Sequence, residues 1–445
     1  MRKLIAAIDL GTSKVVCMVG EKTEAGVKII AMNEAPSKGV SRGEVVNIQS
    51  ALESIMPTIQ NVENAIGESI NDVFIGVAGQ NIKCIQGTNQ TSRVNPDNLI
   101  TLSEIEEITR KMHGVACKEG EEVLHAIPQS YNIDDFMGIT EPKGMTGKEI
   151  FSNFKLVLGK KTSTQQRNNV LARAGLKLKG VFLEPMASAK AVLEDDEKEV
   201  GVALLDIGGG TTDVLIIHEN IIRHAAVIPF GGNSITEDLK QGCGVSSKVA
   251  EQLKTIHGSC MSSIAPDKSV RINGIGGRKD KEIHYRTIAE IIESRVEEIL
   301  EAAMYEIERS GYKEKINTGL VITGGTSQLA NLQQFARLVT GMETRLAIPN
   351  KLYTLMELPL NKPSLATSTG LVIMGFEEME KQAKQGNPYS AMTSAKQKKE
   401  EEKPFEEQKE VKEEVKEQPK AQKGRDWSKI WDVFKSDNVF KDNDA

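Results

Sequence analysis

The sequence predicts an α/β protein of two lobes, with an inserted α+β subdomain and a separate C-terminal tail. The two lobes are predicted because a strand, glycine turn and strand pattern occurs at residues 4–19 and again at 202–217, and such a repeat indicates internal duplication. The tail is predicted because the composition changes near Lys381. A chain of 445 residues with 39% hydrophobic content has room for roughly two to four domains.

The second copy of the pattern contains more glycines than the first. Residues 206–213 read Asp-Ile-Gly-Gly-Gly-Thr-Thr-Asp and lie between the apolar runs 202–205 and 214–217. A plain hairpin turn needs only one or two glycines, whereas three let backbone N–H groups approach an anion closely. An aspartate at a strand end holds Mg²⁺ directly or through water. The pattern favours a phosphate site over a purely structural turn.

The first copy has the same order of residue types. Asp9-Leu-Gly-Thr-Ser-Lys14 follows the apolar run 4–8 and precedes the run 15–19. Its threonine and serine hydroxyls could donate to phosphate oxygens, as could the threonine hydroxyls of the second copy. We therefore expect two lobes that hold one polyphosphate from opposite sides.

Composition excludes several other classes. A net charge of −6 argues against a nucleic-acid surface. The five cysteines form no Cys-x-x-Cys pair and predict reduced thiols, and the six histidines show no metal-ligand spacing. Asp9 ends the first apolar run too early for a signal peptide, and no run approaches the ~18 apolar residues of a membrane span. No P-loop, Gly-x-Gly-x-x-Gly or Gly-x-Ser-x-Gly motif occurs.

The first 162 residues contain two successive groups of strand and helix patterns. Strand patterns at 27–32 and 72–78 surround a helical pattern at 48–67, in which Pro57 predicts a kink or a break. Strand patterns at 84–94, 122–134 and 151–158 then surround a helix predicted to start at Ser103, with Glu106 in the capping-box position. We interpret 83–162 as an inserted subdomain, and the alternative is a long elaboration of the first domain.

Polar residues beyond the insertion mark further candidate positions. Glu184 precedes a proline that opens a helix, and it could orient an attacking water or cap that helix. Glu251 and Lys254 share a helix face, so the pair could reach a ribose or form a surface ion pair. Residues 320–329 form a third strand and glycine pattern, whose backbone could lie against a flat base.

The tail combines a polar linker with an apolar stripe. Residues 396–424 are mostly Lys, Glu and Gln, which predicts disorder. Trp427, Ile430, Trp431 and Phe434 then recur at helical spacing. This stripe could bind a membrane, a partner groove or its own domain, and its tryptophans favour a membrane. Four basic and five acidic residues in 425–445 predict little attraction to anionic lipid, so binding should be marginal for one tail and stronger for several on one polymer.

Taken together, these motifs resemble the FtsA family of bacterial cell-division proteins, within the actin-like ATPase superfamily. The insertion combined with the tail indicates FtsA, whereas the phosphate and adenosine motifs fit any member of the superfamily. The stretches that carry the resemblance are Asp9-Leu-Gly-Thr-Ser-Lys14, His125-Ala-Ile-Pro-Gln129, residues 206–213, Val227-Ile-Pro-Phe-Gly-Gly232, Ala250-Glu-Gln-Leu-Lys254, Val321-Ile-Thr-Gly-Gly-Thr326 and the tail helix.

The resemblance implies duplicated ribonuclease-H-like domains with defined boundaries. The first lobe would comprise 1–82, 163–202 and 364–382, and the second lobe 203–238 and 308–363. The remaining parts would be the insertion at 83–162, a second-lobe subdomain at 239–307, a disordered linker at 383–424 and a membrane-targeting amphipathic helix at 425–445.

The resemblance also implies ATP and Mg²⁺ as ligands. Asp9 and Asp206 would hold Mg²⁺ through water, Glu184 would place the hydrolytic water, and Glu184 and Asp206 would be the catalytic residues. Phosphate would be held by Gly11, Thr12, Ser13 and Lys14 from the first lobe and by Gly208, Gly209, Gly210, Thr211 and Thr212 from the second. Gly232, Glu251 and Lys254 would meet the ribose, and Gly324, Gly325 and Thr326 the adenine side.

The implied role is an ATP-dependent adaptor. It would polymerise through its insertion, attach to the inner face of the cytoplasmic membrane at the septum and recruit FtsZ and other division proteins. Arg286, Glu290 and Arg295 on the long helix are the candidate contacts for the FtsZ C-terminal peptide, and no nucleic acid is expected. The alternative is a small-molecule kinase of the same fold; a chaperone ATPase would need a substrate domain, and an MreB-type actin homologue would lack the insertion.

Overall fold

The computed structural model describes residues 3–24, 26–274, 276, 279–349, 353–354 and 361–385. All of them lie in one compact unit. The predicted amphipathic helix, and the predicted linker beyond residue 385, lie outside the described residues. None of the helices in the described part of the chain is long and apolar enough to span a membrane.

The N-terminal segment builds the first sheet and its covering helix. Its elements are β1 (Leu4–Leu10), β2 (Lys14–Thr23), β3 (Gly26–Pro36), β4 (Val40–Ser41), β5 (Glu44–Val45), α1 (Ile48–Ile66) and β6 (Asp72–Val77). The side chain of Asn47 caps α1 by accepting from the Ser50 N–H at 3.0 Å. The helix continues through Pro57, so a break there is wrong. Ile55 and Ile59 pack against the sheet core on either side of the proline, which offsets the missing hydrogen bond.

The insertion has its own sheet and its own core. Its elements are β7 (Lys83–Ser92), α2 (Leu102–His113), β8 (Glu121–Ile133), β9 (Phe136–Ile139) and β10 (Glu149–Lys160), with strand order β7-β10-β8-β9. The N-cap of α2 is Thr101, two residues before the predicted cap Ser103, because Thr101 and Glu104 form the capping box. Ile100 is buried in the same cluster that Ile105 packs against, as in a hydrophobic staple, and this staple selects the earlier of two similar capping sequences.

The remaining elements complete the first sheet and form the second. They are α3 (Lys161–Arg173), β11 (Lys177–Leu183), α4 (Glu184–Val192), α5 (Asp195–Val200), β12 (Val202–Ile207), β13 (Thr212–His218), β14 (Ile221–Ile228), α6 (Gly232–Cys243), α7 (Ser247–His257), β15 (Ser269–Ile272), β16 (Lys281–His284), α8 (Tyr285–Arg309), β17 (Leu320–Thr323), α9 (Leu332–Thr340), β18 (Thr344–Leu346), β19 (Tyr353–Thr354) and α10 (Ala366–Gln385).

The two large sheets repeat one topology. The first has the order β11-β6-β1-β2-β3-β19, and the second has the order β18-β17-β12-β13-β14. In each sheet, three consecutive strands form an antiparallel meander. The first strand of this meander also pairs in parallel with a later strand, because β1 pairs with β6 and β12 pairs with β17. This equivalence confirms the predicted duplication and places the two glycine turns at corresponding ends of β1 and β12.

The central strand of each sheet is buried on both faces. In β1, Ala6 and Ile8 enter one apolar core while Ile5 and Ala7 enter another. Strand β12 alternates in the same way, with Ala203 and Leu205 facing one core and Val202 and Leu204 facing another. Side chains that are buried on both faces give the continuous apolar runs seen in the sequence.

An apolar cluster beneath the glycine turns joins all three parts of the molecule. It contains Val77 from the first sheet, Val157 from the insertion and Leu204 and Val321 from the second sheet. Strand β19 pairs with β3 of the first sheet, although its segment, 308–363, was expected in the second lobe. The other domain boundaries stay predictions.

Candidate functional site

The two glycine turns face each other across a cleft. A Cβ placed on Gly210 would lie 2.5 Å from Thr12 Oγ1, and one placed on Gly209 would overlap the Ser13 hydroxyl. The Ser13 hydroxyl also donates to Asn233 Oδ1 at 3.3 Å, a contact that links the first lobe to α6. The opposing turn therefore explains the glycines at 209 and 210, whereas a Cβ on Gly208 would lie 3.2 Å from the Thr211 carbonyl oxygen of its own hairpin.

Backbone and hydroxyl groups hold the second turn from behind. The Gly208 carbonyl accepts from the Gly232 N–H at 3.0 Å and from Thr326 Oγ1 at 2.8 Å. The Asn233 N–H donates to the Gly209 carbonyl at 2.7 Å. Gly232 and Thr326, predicted to face ribose and adenine, thus lie directly against the second glycine turn.

The third glycine pattern packs against the second glycine turn. Gly324 has a φ of 90°, and a Cβ there would overlap the Asp206 carboxylate and the backbone at Ile207. The left-handed conformation and the close approach both require glycine. Gly325 lies one residue further on, and a Cβ there would be 3.6 Å from the Ser364 Cβ. The strand ends of β12 and β17 therefore meet beside Asp206.

Four acidic side chains converge at the base of the cleft. Asp9 and Asp206 each lie one residue before the end of their strand, β1 and β12. Asp213 lies opposite Asp206 on β13, and Glu184 is the first residue of α4. Asp206 is the best supported of them, because Oδ2 accepts from Ser188 Oγ at 2.5 Å and from Thr367 Oγ1 at 3.2 Å. Asp213 Oδ1 is buried and has no hydrogen-bond partner among the described residues.

Burial and mutual repulsion raise the pKa values of these acids. Burial raises the pKa of Asp9 to about 7, with Lys14 opposing the shift and Asp206 adding to it. Burial also raises the pKa of Asp213 well above its usual range, with the charges of Asp206 and Asp9 adding to it. The pKa of Asp206 rises through burial, which the Ser188 and Thr367 hydroxyls partly offset. Such a cluster is stabilised by a bound cation.

Glu184 belongs to this acidic cluster. Leu183 is the N-cap residue of α4 and Glu184 is the first helical residue, so the alternative of a capping glutamate is wrong. Its side chain lies over β6, where a Cβ on Gly76 would be 2.7 Å from Glu184 Cγ. Burial raises the pKa of Glu184 well above its usual range, with Asp9, Asp213 and Asp206 adding to the shift and Arg167 opposing it.

The insertion reaches both lobes near this cluster. Nε2 of His125, on β8, accepts from the Leu183 N–H at 3.1 Å, one residue before Glu184. Burial lowers the pKa of His125 to about 4, so its ring is neutral and free to accept. Gln129, on the same strand, donates to the Ile222 carbonyl of β14 at 2.8 Å. The His-Ala-Ile-Pro-Gln motif therefore fastens the insertion to both sides of the cleft.

Lys254 and Glu251 form an inward-facing network on α7. Lys254 Nζ lies 2.9 Å from the Gly232 carbonyl and 2.7 Å from Glu251 Oε2. The Lys254 side chain is 8% exposed, whereas that of Glu251 is 48% exposed. The pair thus leads from the glycine turn to solvent, unlike an ordinary surface ion pair.

Lys14 points away from the opposing turn. Its Nζ lies 2.7 Å from Glu34 Oε2 and 3.1 Å from Ser364 Oγ. This ion pair joins β2, β3 and the segment that precedes α10.

The candidate FtsZ contacts on α8 fall into two groups. Arg286 and Glu290 are exposed and contact each other at 3.1 Å. Arg295 is less exposed and binds the Asp238 carboxylate through contacts of 2.6 and 3.1 Å. Arg286 and Glu290 are open to a partner, whereas Arg295 already joins α8 to α6.

Sequence reasoning missed several residues of the site. Asp213 closes the glycine motif, and the register of a symmetric hairpin would have placed it opposite Asp206. Ser188, Thr367 and Asn233 come from other segments, and no local pattern marks them.

Comparisons with known proteins agree with this architecture. A family model described as "Cell division protein FtsA" matches residues 203–370, and one described as "SHS2 domain inserted in FTSA" matches residues 79–158. The chain is 34% identical to the cell division protein FtsA of Pseudomonas aeruginosa, over 84% of this chain and 90% of that protein. It is 30% identical to FtsA of Bacillus subtilis strain 168, over 83% of each.

Solved structures show the same fold. MreB5 of Spiroplasma citri bound to ADP superimposes with a TM-score of 0.53 at 16% identity, covering 86% of this chain and 99% of that one. The PilM–PilN type IV pilus biogenesis complex gives a TM-score of 0.59 at 14% identity, covering 83% of this chain and 98% of that one. The actin-like fold and the inserted subdomain are thereby confirmed.

Proposed function

The chain belongs to the FtsA family of cell-division proteins, and we propose that it binds and slowly hydrolyses Mg-ATP between its two lobes. The observation that carries this proposal is the facing pair of glycine turns. Gly209 and Gly210 lie against Ser13 and Thr12, so backbone N–H groups and hydroxyls from both lobes can surround one polyphosphate. The related fold of MreB5 of Spiroplasma citri, solved with ADP and with AMPPNP, supports a nucleotide in this cleft.

The acidic cluster fits a Mg²⁺ ion held largely through water. In the described part of the chain, no three His, Cys, Asp or Glu side chains form a set of direct metal ligands, and Mg²⁺ commonly keeps several waters. Asp213 Oδ1 has no hydrogen-bond partner among the described residues, and burial together with the charge of Asp206 raises the pKa of Asp9 despite the charge of Lys14. A cation would relieve this repulsion. Asp9 and Asp206 would hold the hydrated ion, and it would neutralise charge on the phosphates.

Glu184 is the residue we assign to the hydrolytic water. Burial and the charges of the other acids raise its pKa well above the usual range, so its carboxylate is a stronger base than that of an exposed glutamate. Arg167 opposes this shift. The His125 contact to Leu183 N–H would fix the start of α4 and therefore the direction of the Glu184 side chain.

Family membership is the basis for a proposal about the role of the protein in the cell. We infer that the protein polymerises, binds the FtsZ C-terminal peptide near Arg286 and Glu290, and attaches to the inner face of the cytoplasmic membrane at the septum through its tail stripe. The apolar spacing of Trp427, Ile430, Trp431 and Phe434 supports the membrane contact. Charge and exposure at Arg286 and Glu290 support the peptide contact.

The direct test is nucleotide binding by an Asp206→Ala variant. Calorimetric titration with Mg-ATP should show saturable binding by the wild-type protein and at least a tenfold loss in the variant, because the ion would lose one of its two proposed carboxylates. Asp135→Ala, in the exposed hairpin of the insertion, is the matched control and should bind normally. Equal binding by the Asp206 variant would refute the site.

A further inference from the structure

A thiol, an imidazole and a carboxylate form a continuous chain between the insertion and the second lobe. Cys84 lies near the start of β7, opposite Val157 of β10. Strand β7 packs against β14, and the Cys84 thiol interacts there with the His224 side chain and the backbone at Ala225. His224 Nε2 in turn lies 2.8 Å from Glu306 Oε2 on α8. Three separate segments thus bring these groups together.

This order of groups stabilises charge on sulfur. A carboxylate favours the imidazolium form of a histidine, and an imidazolium favours the thiolate form of a neighbouring cysteine. The side chains of His224 and Glu306 are only 6% and 14% exposed, so water screens their charges weakly. Lys155 on β10 adds a positive charge toward the thiol, and Arg309 binds the Glu306 carboxylate at 3.2 Å.

We propose that Cys84 is a reactive thiol, activated by His224 and Glu306, and that it is a site of modification by hydroperoxides and electrophiles. The thiol is partly exposed, which gives a small reagent access. Its position places the modification at the contact between the insertion and the second lobe.

The other cysteines lack these surroundings. Burial raises the pKa of Cys17 and Cys260 to about 12, with Glu63 and Glu293 respectively adding to the shift. Burial also raises the pKa of Cys243. At Cys84 burial acts in the same direction, but the contacts with His224 and Ala225 outweigh it and the pKa is lowered. Reciprocally, contacts with Cys84 and Glu306 outweigh burial and raise the pKa of His224.

The reaction with a hydroperoxide balances with the groups present. The Cys84 sulfur attacks one peroxide oxygen, an S–O bond forms and the O–O bond breaks. Sulfur is oxidised by two electrons to a sulfenic acid, and the peroxide is reduced. The leaving alkoxide or hydroxide takes the proton carried by His224. The product sulfur is neutral, so the charge pairing between β7 and β14 is lost.

Site-resolved alkylation of the full-length protein tests the proposal. The protein is treated with iodoacetamide between pH 6.5 and 8.5, and each cysteine is quantified by mass spectrometry. Cys117, which is also partly exposed, is the internal control. Lowering the pH from 8.5 to 6.5 should slow alkylation of Cys84 less than alkylation of Cys117, because a lower thiol pKa leaves more thiolate at the lower pH. An equal loss of rate at the two cysteines, or an absence of alkylation at Cys84, overturns the proposal.

Variants identify the partners of the thiol. His224→Gln retains hydrogen-bonding capacity but not the positive charge, so the pH profile of Cys84 should approach that of Cys117; Glu306→Gln should shift the profile in the same direction. A Cys84 profile that is unchanged in folded His224→Gln contradicts the assigned role. Should that variant unfold, the wild-type profile still decides the proposal. Dimedone trapping after peroxide should label Cys84 before Cys117, and the reverse order excludes it as the peroxide-reactive site.

Discussion

Asp206 and Asp213 lie directly opposite each other on β12 and β13. Like charges at opposed positions of an antiparallel pair are destabilising. Here both side chains are almost fully buried, at 8% and 4% exposure. Ser188 and Thr367 hydrogen-bond Asp206, whereas Asp213 Oδ1 has no partner among the described residues. The pair is therefore stable only with a proton or a cation between its charges, and this requirement couples folding stability to the ligand.

The first prediction concerns Asp213. Asp213→Asn removes one of two opposed charges, so the nucleotide-free protein should gain about 1 kcal/mol of unfolding free energy at pH 8. The extra stabilisation that Mg²⁺ adds to ATP should decrease, because less negative charge remains to be neutralised. Thermal unfolding with and without Mg²⁺ and ATP measures both effects. An exposed control, Asp135→Asn, should change neither, and a destabilised Asp213 variant with an unchanged Mg²⁺ effect would contradict the coupling.

The second prediction concerns pH. The folded-state pKa of Asp9 is raised from 3.8 to about 7, so between these two pH values the folded protein holds a proton that the unfolded chain has released. The contribution of Asp9 to stability is thus present at low pH and is lost as pH rises to about 7, with a limiting slope of about 1.4 kcal/mol per pH unit.

Urea unfolding of wild type and Asp9→Asn between pH 5.5 and 8.5, without Mg²⁺, isolates this contribution. The unfolding free energy of wild type minus that of the variant should fall with increasing pH up to about 7 and then level off. Curves that stay parallel across the range would show that Asp9 does not titrate there.

The third prediction separates binding from turnover. Glu184→Gln keeps the shape of the side chain and should bind Mg-ATP within about threefold of wild type. Its hydrolysis rate should fall by roughly 10²–10⁴, the contribution of a general base. Phosphate release and calorimetric binding measure the two quantities. Gly76→Ala provides a second variant, because its Cβ would displace Glu184, and it should slow hydrolysis while Glu184 remains present. Unchanged turnover in Glu184→Gln would remove Glu184 from the reaction.

The fourth prediction concerns the tail. Trp431→Glu places a charge on the apolar stripe and should reduce sedimentation with liposomes at least fivefold, since burial of that side chain is worth ~1.5–3 kcal/mol. Ser436→Glu adds the same charge on the opposite side of the predicted helix and is the matched control. Equal binding by both variants would exclude the stripe as the membrane contact. If attachment is coupled to assembly, the wild-type protein should bind more strongly with ATP than without it.

Much of the fold could be predicted because its signals are local. The apolar runs flanking Asp9 and Asp206 became strands, and their repetition became two sheets of the same order. The start of α2 was misplaced because two Thr/Ser-x-x-Glu sequences overlap, and only packing of Ile100 decides between them. The continuity of α1 through Pro57 likewise depends on the core that it covers.

The sequence by itself determined the two glycine turns, the acids beside them and the strands that carry them, because each depends on residues adjacent in the chain. Only the tertiary structure decided what surrounds the acids. Thr367 reaches Asp206 across 161 residues, and Lys14 meets Ser364 across 350. It also decided that His224 lies between Cys84 and Glu306, which come from three segments. Such neighbours are set by how sheets, insertion and helices pack together, and no period or motif in one segment encodes them.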